Sequence, residues 1–273
     1  MIIGKAISQF RIKRRSSGGG NDPDAQAFIT ASGISGTEAT AINTLVVSLK
    51  SANIWTKMKA VYPFVGSSAT SCKWNLKNPV DSNAAYRLVF SGGGTFSSNG
   101  YLPNGTNAYA NTWFMCSVNS TASNISAGVY SRTNNIGTGA TFGGVTNAGE
   151  GTAINLKYTD NNTYYSANNF ASNGSGNYVS DTRGFFIVNK FAATTTKLYK
   201  NGLTIATANP TTGNVAPASY VFLGARAVIP SIIDSYDNRE NAFSFLGDSL
   251  TDAEALAFYN AVQTFQTTLG RQV

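Results

Sequence analysis

The chain has 273 residues, 42% of them hydrophobic and only 12% charged, with 27 glycines and a formal net charge of +7. That apolar share supports a real core and excludes global disorder, and the absence of any His excludes His-based triads, His general bases and His metal ligands. Five of the positive charges, Lys5, Arg11, Lys13, Arg14 and Arg15, fall within the first fifteen residues with no acidic residue among them. The remaining body is therefore close to neutral, which argues against nucleic-acid binding except through this basic arm.

In chain order, residues 1–20 read as an arm with a Ser-Gly hinge. Ile3, Ile7, Phe10 and Ile12 are set among the basic residues, a pattern compatible with an extended strand added to a neighbouring sheet edge, a short amphipathic helix, or a disordered basic tail. An arm that docks on a larger partner would use Ile3, Lys5, Ile7, Phe10, Arg11, Lys13, Arg14 and Arg15. The start lacks the apolar core and cleavage site of a secretory signal, and no run of about 18 apolar residues is present to span a membrane.

Residues 21–70 read as a small helical region. Asp22-Pro23 is an N-cap followed by proline at the first helical position. Ser35 with Glu38 has the spacing of a capping box, and Ile42, Leu45, Val46 and Leu49 behind it recur on one helical face. Ile54 to Val61 reads as a third short helix stopped by Pro63, with Trp55 and Met58 on its packing face.

Residues 71–273 read as strand and turn, closed by a helix. Extended segments are expected at residues 85–90, 108–118, 125–132, 153–158, 185–191, 220–223 and 242–246. Turn clusters separate them, including Gly92-Gly93-Gly94, Pro103-Asn104-Gly105, Asp160-Asn161-Asn162 and Asn173-Gly174-Ser175-Gly176. The strongest local signal is Asn201-Gly202 between two alternating runs, a two-residue hairpin turn. Its register pairs Lys200 with Leu203, Tyr199 with Thr204 and Leu198 with Ile205, so Leu198 and Ile205 would share a face. Strands at this spacing without intervening helices predict a mainly β protein, an antiparallel β-sandwich of jelly-roll type. Thr251 and Glu254 form a second capping box ahead of a stripe of Ala255, Phe258, Tyr259, Val262, Phe265 and Leu269. Cys72 and Cys116 read as buried free thiols, with a disulfide between them as the alternative.

Three motifs carry a resemblance. Leu198-Tyr199-Lys200-Asn201-Gly202, then Phe222-Leu223-Gly224-Ala225, then Phe245-Leu246-Gly247-Asp248 leading into Leu250 to Glu254, follow the order seen in concanavalin A-like, laminin-G-type jelly rolls. This resemblance covers roughly Tyr101 to Phe258 and implies the fold. The whole layout resembles virion structural proteins of bacteriophages: a basic Gly-linked N-terminus, a helical stretch near Thr44 to Tyr62, a sandwich, and an ending like Ala261 to Val273. It implies a virion location as a capsid decoration, spike or fibre component, with other virion proteins and copies of itself as partners. A free carbohydrate-binding module is the alternative.

Two clusters are candidates for binding. Asp160, Asn161, Asn162, Tyr164 and Tyr165 combine amides, which orient sugar hydroxyls, with aromatic faces that stack on sugar rings; turn and strand chemistry explains the same residues. Asp234, Asp237 and Glu240 form an oxygen-rich loop, short of the roughly six to eight ligands calcium takes, and read as a plain solvated loop. No cofactor is expected. Glucanases with this sandwich use two carboxylates on one strand face. The glutamates here, Glu38, Glu150, Glu240 and Glu254, are too dispersed to make that motif, so a non-enzymatic protein is expected.

Overall fold

A computed structural model describes residues 20–170, 178–209, 216–229 and 231–273. The N-terminal arm and the Asn173 to Gly176 turn lie outside the described residues. Two helices come first, α1 (Pro23–Ser32) and α2 (Gly36–Ser51), followed by strand β1 (Met58–Tyr62) and a one-turn helix α3 (Ala69–Cys72). Then come β2 (Val89–Ser91), β3 (Thr95–Ser97), β4 (Gly100–Leu102), β5 (Tyr109–Met115), the turn α4 (Cys116–Asn119), β6 (Ile125–Ser131), β7 (Phe142–Val145), β8 (Glu150–Asn155) and β9 (Tyr164–Phe170). The chain continues through β10 (Gly184–Ala192), β11 (Thr195–Lys200), β12 (Leu203–Ala208), β13 (Tyr220–Leu223), β14 (Arg226–Val228), β15 (Ile232–Asp234) and β16 (Asn241–Gly247) to the final helix α5 (Asp252–Thr268).

The strands form two eight-stranded sheets. The first runs β12-β11-β10-β6-β16-β4-β3, with β1 also on β16; the second runs β15-β14-β7-β13-β5-β2, with β8 on β7 and β9 on β8. This is the expected mainly β sandwich. One core lies between the sheets, where Val129, Phe186, Val188, Leu198 and Leu246 of the first meet Phe114, Phe142, Ile154 and Tyr165 of the second. A second core lies on the other face of the first sheet, where Phe185, Phe243 and Phe245 meet Phe258, Val262 and Phe265 of α5 and Leu45 and Leu49 of α2. The order of layers is helices, first sheet, second sheet, and among the described residues α1, α2 and α5 all belong to the core on the first sheet's outer face.

Local chemistry explains most of the ends. Asp22 Oδ1 accepts from the Asp24 N–H, and Pro23 opens α1. Thr251 and Glu254 form the reciprocal capping box of α5, and Glu254 also pairs with Lys57 at 2.6 Å. Trp55 and Met58 are buried packing residues. Cys72 and Cys116 are free and buried, and burial pushes their thiols up to about 11 and about 12. Among the described residues no helix is long and apolar enough to cross a membrane.

The structure corrects three expectations. Residues 54–61 are not a helix: a single 3₁₀ turn, Trp55–Lys57, leads into β1, which pairs Tyr62 with Ser244 and Val61 with Phe245. Both faces of β1 are buried, so its alternation is hidden by apolar residues on each side. Ser35 makes no side-chain cap; Glu38 turns away and accepts the Gly66 N–H at 2.9 Å. In the hairpin, Asn201 and Gly202 have φ of 50° and 78°, and Lys200 pairs with Leu203 and Tyr199 with Thr204. A bulge at Ile205 then pairs Leu198 with Ala206 instead. Leu198 is buried, small Ala206 packs against the same core, and Ile205 is turned out at 42% exposure.

Candidate functional site: an aromatic cleft on the uncovered sheet face

The turn joining β8 to β9 is closed by two backbone bonds, Tyr158 N–H to Asn162 O and Asn161 N–H to Tyr158 O, with Asn161 at φ 68°. Asn161 thus serves the turn, where a left-handed residue is needed. Asp160 accepts from the Asn162 backbone at 2.9 Å, from its side-chain amide at 3.0 Å and from the Tyr164 hydroxyl at 2.6 Å. The Tyr164 hydroxyl bond, first among these, holds the Asp160 carboxyl below the usual range, and the same bond raises the Tyr164 phenol. Asp160 and Asn162 are therefore a brace for the Tyr164 ring. Tyr165, next along the strand, points the other way and is 1% exposed in the core between the sheets. Of the five residues expected to contact sugar, Tyr164 and Tyr165 line the cleft described next, Tyr165 with its ring in the core, while Asp160, Asn161 and Asn162 form the turn beside it.

Tyr164 stands in a cleft of about 410 Å³. Tyr158 and Tyr164 meet edge to face, with centroids 5.5 Å apart at 78°. Ala153, Asn155, Ser166 and Arg226 are also among the lining residues. Pairing explains the shared face: Ala153 is opposite Ser166, Asn155 is opposite Tyr164, and the alternate residues Ile154 and Tyr165 enter the core. Gly143 keeps the surface beside Arg226 bare, since a Cβ there would lie 3.0 Å from Arg226 Cγ and 3.3 Å from Ala153 Cβ. Asn155 Oδ1 and Ser166 Oγ of the lining residues are buried from solvent and bonded to no described residue.

A second group of aromatic rings continues along the same face. Tyr109 stacks on Phe222 at 4.9 Å and 5°, and Trp113 meets Tyr220 edge-on at 5.4 Å. Phe222 is opposite Gly143, which is in turn opposite Ala153, so this group and the cleft share one surface. The alternation of Tyr109, Asn111 and Trp113 along β5 was the available sequence signal. No local spacing could announce Asn155, Tyr158, Ser166 and Arg226 together.

The acidic loop differs from a plain solvated loop in that each carboxylate is paired: Asp237 is buried, Glu240 half-buried and Asp234 over a third exposed. Asp234 is forked to Arg226, Asp237 lies 2.6 Å from Arg239 with both side chains buried, and Glu240 pairs with Arg132 at 3.1 Å. Each carboxylate thus has its own guanidinium partner, and among the described residues no group of His, Cys, Asp and Glu is placed to hold a metal ion. Burial raises the Asp237 carboxyl against the pull of Arg239. Arg239 also donates to the Lys157 carbonyl at 3.0 Å, so this buried pair supports the loop carrying Tyr158.

No protein-family model and no curated protein matches the chain. Its fold is similar to that of a botulinum neurotoxin type C whose cell entry depends on interaction with two ganglioside molecules, at TM-score 0.52 and 14% identity over 78% of this chain and 53% of that one. It is also similar to the binding domain of Paraclostridial Mosquitocidal Protein 1, at TM-score 0.50 and 12% identity over 76% of this chain and 53% of that one. A mutant Trypanosoma rangeli sialidase displaying trans-sialidase activity matches at TM-score 0.50 and 11% identity, over 83% of this chain and 39% of that one. The chain spans about half of those proteins or less. At such identities the likeness is one of fold.

Proposed function

We propose that the chain is a non-enzymatic glycan-binding protein that serves as a structural component of a bacteriophage particle, of decoration, spike or fibre type. The observation that carries the glycan reading is the Tyr158–Tyr164 cleft, with the Tyr164 ring braced by Asp160 and with Thr138, Asn155, Ser166 and Ser235 among its lining residues. Ring faces suit the C–H faces of sugars, and polar lining residues suit sugar hydroxyls. The jelly-roll fold of toxin binding domains, one with ganglioside dependence, is consistent with this use. The particle reading is supported by the basic arm at residues 1–20, the nearly neutral body and the layout resembling phage virion proteins. The arm would anchor the chain to other virion proteins, assembly into an oligomer would multiply weak sugar contacts, and the cleft would face host glycans. The absence of His and the pairing of Glu38, Glu240 and Glu254 within the fold support a binding role without catalysis.

The test has two arms. Glycan-array binding by the full chain should disappear in Tyr164→Ala while the melting curve holds. Deleting residues 1–20 should abolish incorporation into particles and leave glycan binding intact. A full chain that binds no glycan would sink the first half, and incorporation unchanged by the deletion would sink the second, leaving a free binding module.

A further inference from the structure

We infer that the Tyr158–Tyr164 cleft selects uncharged sugars over acidic ones, because the cation in it is already neutralised. The inference rests on the glycan reading of the cleft and specifies its ligand class. Arg226 Nε donates to Asp234 Oδ1 at 2.8 Å and Nη2 donates to Oδ2 at 2.8 Å, a parallel fork. The two residues are also direct partners in the β14–β15 ladder, so the backbone sets the pair. Both are held in their charged forms: the Arg226 hydrogen bond lowers the Asp234 carboxyl, and the same bond raises the Arg226 guanidinium.

The consequence concerns what an incoming group meets. A sugar carboxylate normally calls for a free guanidinium or ammonium group. Among the described residues the cleft lining includes no lysine and no second arginine, and Arg226 has a carboxylate already on two of its nitrogens. An acidic sugar would bring its charge close to Asp234 and gain no net cation. The other polar residues of the lining, Thr138, Asn155, Ser166 and Ser235, are uncharged. They can hydrogen-bond a hydroxyl, but they bring no positive charge to offset the desolvation of an acid. A neutral polyhydroxylated ring stacking on Tyr164 needs no such charge.

The experiment compares neutral oligosaccharides with the same backbones capped by sialic or uronic acid, using the full chain. The wild type should prefer a neutral member by about tenfold or more over its acid-capped form, a margin of about 1.4 kcal/mol. Asp234→Asn, which unmasks Arg226, should narrow that preference by about tenfold. Should that variant fold poorly, the wild type is read against salt: binding of the neutral member should change by less than about twofold between 50 and 500 mM salt, where charge contacts are screened. Equal or tighter binding of acid-capped forms that depends on Tyr164 would overturn the neutral-sugar inference and leave the glycan reading standing. A steep salt dependence for the neutral member would also overturn it. Binding of neither class would overturn the glycan reading and this inference with it.

Discussion

The two sheets use similar residues to different ends. In the first, the central strands β6 and β16 are buried along their whole length, because the helices cover one face and the second sheet the other. In the second, β5 alternates half-buried and buried residues, and among the described residues no long helix packs on its outer face. Phe243 and Phe245 of β16 point at α5, while Leu246 points at the other sheet. The covered sheet therefore carries the stability, with large residues in two cores. The uncovered sheet carries the rings and polar groups that can meet a partner. The general lesson is that an open sheet face is the place to seek function in a sandwich whose other sheet is sealed.

This division can be broken by mutation, starting on the sealed side. Phe258→Ala removes a ring that contacts Phe185, Phe243 and Phe245 at centroid distances of 4.6 to 6.0 Å. It should cost about 4 kcal/mol in urea unfolding; a loss below about 1 kcal/mol would make α5 a loose cover. Arg271→Met comes next. The buried guanidinium donates to the carbonyls of Pro63, Phe64 and Ala242 and to Gln266 Oε1, and burial lowers its pKa to about 10. Taking the donors from those buried carbonyls should cost about 3 kcal/mol, visible as a lower urea midpoint with an unchanged slope. Thr251→Ala opens the α5 capping box and should cost about 1 kcal/mol, measured the same way.

The open side should respond weakly. Asp234 is lowered by Arg226, so its contribution is complete above the unfolded carboxylate pKa near 4 and is lost as pH falls through the depressed folded value. The pair is over a third exposed, so acidification should remove only about 0.5 kcal/mol more from the wild type than from Asp234→Asn. A larger difference would place structural weight on the cleft. Tyr164→Ala should shift stability by no more than about 0.5 kcal/mol while removing glycan binding. A large stability loss there would erase the contrast between the faces.

Features that depend on adjacent residues were legible in the sequence. Asp22-Pro23, the Thr251–Glu254 box and the Asn201-Gly202 turn each rest on local hydrogen bonds or φ preferences, and each is present. Features decided by distant partners were not. Ser35–Glu38 has the right spacing, but Gly66 takes the glutamate. Residues 58–62 follow β16, a partner about 180 residues away in sequence. Tyr164 is one of the residues expected from the sequence, yet Asp160 braces its ring while the other lining residues come from the β8–β9 turn, β7, β8, β9, β14 and loops elsewhere in the chain. The acidic residues at 234, 237 and 240 read as a plain solvated loop because their arginine partners, at 226, 239 and 132, could not be matched to them from the sequence.

Strand β12 closes one border of the first sheet, and among the described residues it pairs only with β11. Its sequence, Leu-Thr-Ile-Ala-Thr-Ala, has no charge and no proline, and Leu203 and Ile205 stand 65% and 42% exposed. Borders of this kind are templates for self-association, normally blunted by lysine, proline or a kink. Here the Ile205 bulge, which breaks the register of β12 against β11, also bends the strand that forms the border. A deletion of Ile205 that straightened β12 should therefore leave a flatter, uncharged border and raise the tendency to self-associate, read as light scattering of the concentrated variant against the parent.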